Sequence, residues 1–172
     1  MKDKLGPVIQ KVDLLLAELR EVAGRGPRFR IVHRLREPGA DCLPGEEISF
    51  ILLIHRGREY LLPLSLALRI LFDYLARHRR LPQNAVQIVS GMRVDAFYTR
   101  HGANAQAGVR QTRRFGRSAV KEYIARLRRA LEVTFREAGA RPDPFAVLVS
   151  EPTEGNEVRY RLRATVEWVH VD

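Results

Sequence analysis

The side chains in this sequence best suited to chemistry are guanidinium groups gathered in one stretch. From Arg113 to Glu137 the chain reads RRFGRSAVKEYIARLRRALEVTFRE and holds eight of its 30 Lys and Arg residues. Guanidinium and ammonium groups donate hydrogen bonds to phosphate oxygens and to guanine edges. The pattern therefore favours recognition of a polyanion, and the alternative for this stretch taken alone is a solvated Arg-rich helix.

Catalytic and metal-binding patterns are missing from the sequence. Its five histidines have no metal-ligand spacing, and Asp95, Asp143 and Glu151 are isolated acids. There is no nucleophile elbow, glycine-rich phosphate loop or acid cluster of nuclease type. The single cysteine, Cys42, excludes a disulfide scaffold and a cysteine-based metal site. We expect no enzyme activity, no catalytic residues, no metal and no cofactor.

The charge of the chain is concentrated. Between Arg93 and Arg136 eleven Lys and Arg residues face three acids, a net +8 of the chain's +10. A concentrated basic patch is the electrostatic footprint of nucleic acid binding. No signal peptide, membrane span or basic helix with exposed apolar anchors is evident. We expect a bacterial protein that is cytoplasmic, nucleoid-associated and not bound to membranes.

The element that positions the basic groups is a helix over about residues 117–137. Its apolar residues recur at i, i+4, i+7 and i+11, which defines one face of an α-helix: Val120, Ile124, Leu127 and Leu131. One side of this helix can bury in a core while the other side carries the positive charge.

A second amphipathic stretch lies at the N-terminus, residues 2–23. Its apolar residues alternate at spacings of three and four, which is a heptad seam: Leu5, Val8, Val12, Leu15, Leu19 and Val22. Glycines and Pro27 end it. Two roles stay open for this helix, a brace docked on its own domain or the seam of a homodimer. We divide the chain into this helix, 1–26, and a domain over 27–172.

Strands and helices alternate through the first half of that domain. Residues 28–35 alternate with period two, the apolar run Ile48–His55 is typical of a covered strand, and a turn at Arg56-Gly57 leads into Glu59–Leu62. Ser65 is a candidate N-cap for a helix over Leu66–Arg79.

After that helix the pattern weakens and then returns. Asn84 can cap a short helix over Ala85–Gly91, and residues 93–116 have no period and predict a long connection. After the basic helix, Phe145–Ser150 reads as a strand, and Val158 to Trp168 alternates as one long strand. Three helices followed by a hairpin predict an α+β fold, a winged helix-turn-helix with an N-terminal β-sheet and the extra N-terminal amphipathic helix.

The stretch Ser118–Glu132 resembles the recognition helix of DNA-binding domains of the OmpR/PhoB type, whose pattern is (R/S)-x-V-x-x-x-I-x-x-L-R-x-x-L. Tyr160-Arg161-Leu162 is similar to the returning strand of that family's wing, and Pro63-Leu64-Ser65 to the entry into its first helix. The resemblance covers about residues 46–168. The chain departs from the family in its longer connection before the basic helix, in lacking a receiver domain, and in an acidic wing tip.

The resemblance implies roles for individual residues. Base-facing positions would be Ser118, Lys121, Glu122, Ala125 and Arg126. Among them, Lys121 and Arg126 could donate to guanine and Glu122 could accept from cytosine. Phosphate contacts would come from Arg113, Arg114, Arg117, Arg129, Arg159 and Arg161.

Some of these roles have alternatives. Arg159, Arg161 and Arg163 could instead form an ordinary solvated sheet face. The acidic wing tip, with Glu154 at its centre, would be repelled by phosphate and is not expected to probe the minor groove.

These features predict a sequence-specific regulator of transcription that binds double-stranded DNA, with helix 117–137 in the major groove and hairpin 145–168 as the wing. We expect a homodimer formed through the N-terminal helix. The loop 93–116 would add DNA contacts or bind RNA polymerase or another protein. The alternative is a winged-helix module for protein assembly, or for DNA replication or partition with nonspecific DNA binding.

Overall fold

The computed structural model describes residues 26–36, 45–94 and 117–171, and these form an α+β fold with two sheets. The strands are β1 (Arg28–Arg36), β2 (Gly45–His55), β3 (Arg58–Leu62), β4 (Gln83–Asn84), β5 (Leu148–Pro152), β6 (Val158–Leu162) and β7 (Thr165–Val171). The helices are α1 (Leu66–Arg77), α2 (Ala85–Val94), α3 (Arg117–Ala138) and α4 (Pro144–Val147). The predicted N-terminal helix and most of the predicted connection lie outside the described residues.

The larger sheet has the strand order β3-β2-β1-β7. β2 is antiparallel to both β1 and β3, whereas β7 runs parallel to β1. The β2–β3 hairpin turns through Arg56 and Gly57, which have φ values of 50° and 73°. Two successive residues with positive φ match the twist of a two-residue hairpin, as the sequence predicts at this position.

A β-bulge interrupts the pairing of β1 with β2. Val32 pairs with Phe50 and His33 with Ile48, which leaves Ser49 as the extra residue. The Nη1 of Arg69, on α1, donates to the carbonyl oxygen of Ile48 at 2.7 Å and also to that of Ser49. The bulge and the first helix are therefore held together by one guanidinium group.

The smaller sheet has the order β4-β6-β5, and both of its pairings are antiparallel. β4 is the two-residue strand that directly precedes α2. There Asn84 and Gln87 bond reciprocally: the Asn84 amide donates to Gln87 Oε1 at 2.9 Å, and the Gln87 amide to Asn84 Oδ1 at 2.8 Å. This pair caps α2 in the way that the sequence predicts for Asn84.

The core lies between the larger sheet and the helices. Phe29 of β1 contacts Phe72 of α1 edge to face, with ring centroids 5.1 Å apart, and Phe135 of α3 at 6.4 Å. Asp73 of α1 is 1% exposed and accepts hydrogen bonds from Trp168 Nε1 and from Arg77 Nε, both at 2.7 Å. This carboxylate joins α1 to β7.

Two strand predictions are wrong. Phe145–Val147 belongs to α4, because Asp143 accepts a hydrogen bond from the Phe145 amide at 2.9 Å and Pro144 occupies the first turn. The stretch 158–168 is two strands in different sheets, because the chain breaks its pairing after Leu162 and resumes at Thr165.

Three helix predictions change in detail. Ser65 has the extended backbone of an N-cap, but its side chain makes no capping hydrogen bond. α1 ends at Arg77, before the predicted Arg79. α2 continues to Val94, so Arg93 is helical and does not belong to the connection.

Candidate nucleic-acid interface

The outward side of α3 is open to solvent. The apolar stripe predicted from the sequence is buried, and Thr134 and Phe135 extend it towards the C-terminal end. All five predicted base-facing residues are exposed: Ser118, Lys121, Glu122, Ala125 and Arg126. We call this side of α3, together with Arg117 and Arg129, the outer helix face. The helix ends at Gly139, whose φ of 63° suits a glycine C-cap.

Ion pairs divide the cations of α3 into two groups. Arg126 binds Glu122 one turn earlier, and Arg136 binds Glu132 at 3.0 Å. Within the described part of the chain, no salt bridge engages Arg117, Lys121 or Arg129, the remaining exposed cations of the helix. Those three are the positive groups of the outer helix face that an anion could approach directly.

Arg128 points the other way and joins α3 to the hairpin β5–β6. Its Nε and Nη2 donate to the carbonyl oxygen of Leu148 at 3.0 and 2.6 Å, and Nη2 also donates to Ser150 Oγ at 2.7 Å. The guanidinium lies 4.5 Å from the ring centroid of Phe145. Burial lowers the pKa of Arg128, although the group stays charged at neutral pH. Burial also raises the pKa of its neighbour Tyr160, and the charge of Arg128 partly opposes that shift.

The resemblance implies a structural or backbone-contacting position for Arg128, and the sequence contains a signal for the structural role. Arg128 follows Val120 and Ile124 at intervals of four, so it continues a row of the apolar stripe. A cation in such a row lies close to the protein interior. The carbonyl oxygen of Leu148, at the start of β5, provides its partner.

The arginines of β6 are largely compensated by acids of the hairpin. Arg161 binds Glu151, while Arg163 lies 3.8 Å from the same carboxylate and Arg159 lies 3.6 Å from Glu157. Arg159 and Arg161 were predicted as phosphate contacts. In this structure both guanidinium groups are paired with hairpin carboxylates, so a phosphate contact would require them to exchange partners.

The hairpin tip is connected to the start of α2. Asn84 Nδ2 donates to Glu157 Oε1 at 2.8 Å, in addition to capping α2 through its side-chain oxygen. The backbone turns through Asn156 and Gly155, which both have positive φ. Glu154 at the tip is exposed. The hairpin β5–β6 is thus fixed at its base by Arg128 and near its tip by Asn84.

A groove of about 530 Å³ runs between the C-terminal half of the outer helix face and α4. Its lining comprises Ala125, Arg128, Arg129, Glu132, Asp143, Pro144 and Phe145. Phe145 is 65% exposed, an unusual position for a large aromatic side chain. Cations and acids are balanced in the groove, so it adds apolar surface rather than positive charge beside the helix.

Several predicted features cannot be placed. Arg113 and Arg114 lie outside the described residues, as does the connection that follows Val94. In the described ranges no helix is long and apolar enough to cross a membrane. The same ranges contain no cluster of three or more His, Cys, Asp or Glu side chains that could hold a metal ion.

Comparison with known proteins gives no match: no family model, curated protein or solved structure is significantly similar to this chain.

Proposed function

We propose that the domain is a winged helix-turn-helix that binds double-stranded DNA sequence-specifically and regulates transcription. In this proposal α1, α2 and α3 form the three-helix unit, α3 enters the major groove, and β5–β6 is the wing. The support is topological: β4, between the first two helices, pairs with β6, and the hairpin β5–β6 follows the basic helix with the short helix α4 between them.

The observation that carries the proposal is the outer helix face. α3 is anchored by a fully buried stripe, while its opposite side has exposed, short or charged side chains along the whole N-terminal half. The major groove of B-DNA, about 12 Å wide, admits one α-helix. Arg117 and Arg129, which make no salt bridge to the described residues, would supply phosphate contacts, and Lys121, which makes none either, would reach a base edge.

Base recognition requires Arg126 to leave Glu122. An exposed i,i+4 ion pair of this kind contributes about 0.3–0.5 kcal/mol, whereas a bidentate contact with guanine contributes about 1–3 kcal/mol of discrimination. The exchange is therefore favourable at a matching site. It also frees the Glu122 carboxylate to accept from a cytosine amino group, so the pair would act as a two-residue unit.

One observation favours the second candidate, a winged-helix module for protein assembly or for replication or partition with nonspecific DNA binding. The hairpin region contains three glutamates and three arginines, so it has no net charge: Glu151, Glu154, Glu157, Arg159, Arg161 and Arg163. A neutral wing contributes little long-range attraction to DNA. The DNA contacts would then depend on α3 alone.

A titration onto random and genomic DNA at two salt concentrations tests both candidates. We expect preferred genomic sites and a log K that falls with log salt with a slope of about −2 or steeper, because Arg117 and Arg129 each release about 0.9 counterion and the predicted contacts Arg113 and Arg114 would add to this. Steep salt dependence without any preferred site would overturn the regulator proposal and support the second candidate, a module with nonspecific DNA binding. Absence of binding would overturn both DNA proposals.

Matched variants on α3 localise the interface. Arg117→Ala and Arg129→Ala should each reduce the steepness of the salt slope by about 0.9 and weaken binding to all sequences alike. Arg136→Ala is the control, because Arg136 is exposed on the same helix but already bound to Glu132. An equal effect of all three variants would show that only net charge matters and that the outer helix face is not the interface.

A further inference from the structure

The larger sheet has a second apolar face, opposite the helices. Strand pairing places Phe50 beside Val32 and Val32 beside Val169, while Leu52 pairs with Leu61. Because side chains alternate along a strand, these positions share the side that Phe29 and Ile31 do not use. We call it the outer sheet face, and its apolar members are Val32, Phe50, Leu52, Ile54, Leu61, Val169 and Val171.

These side chains are separate from the core. The contiguous core comprises residues on the opposite side of the sheet and on the helices, and none of the seven belongs to it. Val32 is nevertheless only 7% exposed, and Phe50, Leu52, Ile54 and Val169 are half-buried. Leu61 is 57% exposed. Contiguous apolar patches of this kind mark sites where another part of the chain or another molecule docks.

The charges on this face cancel one another. Arg30 binds both Glu59 and Glu167, and Arg28 lies 3.8 Å from Glu167. The hydrogen bond to Glu167 is the main reason why the pKa of Arg30 is raised. The row of ion pairs crosses the sheet from β3 to β7. Because these charged groups are paired with one another, the apolar side chains are the part of the outer sheet face that a partner would contact.

The chain itself brings a candidate to this face. The amphipathic segment 2–23 is joined to β1 by only four residues, 24–27. Four residues reach about 14 Å, enough to cross the roughly 10 Å between packed layers. Pro27 is held in place, since its carbonyl oxygen accepts from the Thr165 amide at 3.0 Å. α1 and α3 already fill the core side, through Phe72 and Phe135.

The close approach at Gly26 and the lengths of the two elements agree with this placement. Gly26 has a φ of +55°, and a Cβ there would meet the Arg163 carbonyl oxygen at 2.9 Å, so only glycine fits where the chain enters the sheet. A helix of 22 residues is about 33 Å long. The nine residues of β1 extend about 30 Å. The segment therefore matches the strands that it would cover.

We propose that segment 2–23 packs its apolar stripe on the outer sheet face of its own chain. The six apolar residues of the heptad pattern then cover Val32, Leu52 and their neighbours, and the domain has a second hydrophobic layer behind the sheet. The same stripe is not available for a homodimer seam while it is docked. The segment is a brace of the DNA-binding domain, and this role does not depend on DNA binding.

Thiol labelling of the full chain tests the proposal. In a Cys42→Ser background, Leu52→Cys places one thiol on the outer sheet face, and Ser118→Cys places one on exposed α3 as the reference. We expect the thiol at 52 to react at least about tenfold more slowly than the one at 118, because it reacts only when the segment opens. Ile54→Cys is the second reporter if the first variant does not keep its circular dichroism spectrum.

Two variants in segment 2–23 distinguish protection of the thiol at 52 by the docked segment from its partial burial within the sheet itself. Leu15→Asp places a charge in the apolar stripe and should accelerate labelling at 52 by several-fold. Ala17→Asp places the same charge on the opposite side of the heptad and should leave the rate unchanged. The rate should also be independent of protein concentration over about a hundredfold range, as expected for a contact within one chain.

Three results would overturn the proposal. Labelling at 52 as fast as at 118 would mean that the face is open. Slow labelling that Leu15→Asp does not change would mean that something other than the segment covers it. Protection lost on dilution, with light scattering showing a dimer that dissociates, would assign the face to a second copy.

Discussion

Replacing Arg128 should destabilise the fold although this arginine lies on the basic helix. Arg128→Met keeps the aliphatic stem and removes three hydrogen bonds, two to the Leu148 carbonyl and one to Ser150. A hydrogen bond from a charged group contributes about 1.5–3 kcal/mol and a cation–π contact about 0.5–1 kcal/mol. Because the site is partly exposed, we count one hydrogen bond at the lower part of its range, about 1.5–2 kcal/mol, and the contact with Phe145 at about 0.5–1 kcal/mol, a loss of about 2–3 kcal/mol.

The assay is chemical and thermal unfolding followed by circular dichroism, with Arg129→Met as the matched control. The loss corresponds to a decrease in Tm of about 5–10 °C for a domain of this size. Arg129 is exposed and makes no salt bridge within the described ranges, so its replacement should change stability by less than about 0.5 kcal/mol. The control variant Arg129→Met should instead bind DNA more weakly than the wild type. Equal stability of the two variants would refute the assignment of Arg128 as the connection between α3 and the hairpin.

Three further outcomes are expected. Arg126→Ala should leave the unfolding free energy within about 0.5 kcal/mol of the wild type but relax preference at one base position by about 1–3 kcal/mol; equal weakening on all sequences, measured by competition binding, would make Arg126 a phosphate contact. Asp73→Ala should lower the free energy of unfolding in urea by about 2–3 kcal/mol, because it leaves the indole N–H of Trp168 without its acceptor. A decrease below about 1 kcal/mol would contradict this role of Asp73. Since burial raises the pKa of Tyr160 above 10.0, its contribution to stability is complete below that pH and decreases as pH rises through the folded pKa. Between about pH 9 and about pH 11, the unfolding free energy should therefore decrease more for the wild type than for Tyr160→Phe. Equal decreases would contradict this role of Tyr160.

The helices were the more predictable part of the fold. The apolar stripe of α3 has a helical period, and that period also determines which of its residues are exposed. The ion pairs of Glu122 with Arg126 and of Glu132 with Arg136 have i,i+4 spacing, but this spacing alone does not identify them. Glu132 lies at the same spacing from Arg128, which binds the Leu148 carbonyl instead.

The two wrong predictions concern strands. The apolar pattern of a short segment determines neither whether it is a strand nor with which strand it pairs. Phe145–Val147 is apolar without a period, and the stronger signal was the cap Asp143-Pro144, which begins a helix. Alternation from Val158 onward is the same in β6 and β7, although they belong to different sheets. β7 pairs with β1 and β6 does not. This pairing joins distant parts of the chain, as the contact of Arg30 with Glu167 across 137 residues shows, so the local pattern cannot reveal it. The pairing of Arg161 with Glu151 depends on hairpin register in the same way.

The parallel pairing of β1 with β7 also governs when the domain can form. β1 is an inner strand of the larger sheet, and one of its two neighbours is the final strand of the described chain. During synthesis on the ribosome, one edge of β1 therefore exposes unpaired amide and carbonyl groups until residues 165–171 have emerged. Exposed strand edges favour association between chains, and closing such a long loop slows folding. The domain should consequently complete its folding as one cooperative unit only after residues 165–171 have emerged, and the nascent β1 edge is open to association with other chains until then.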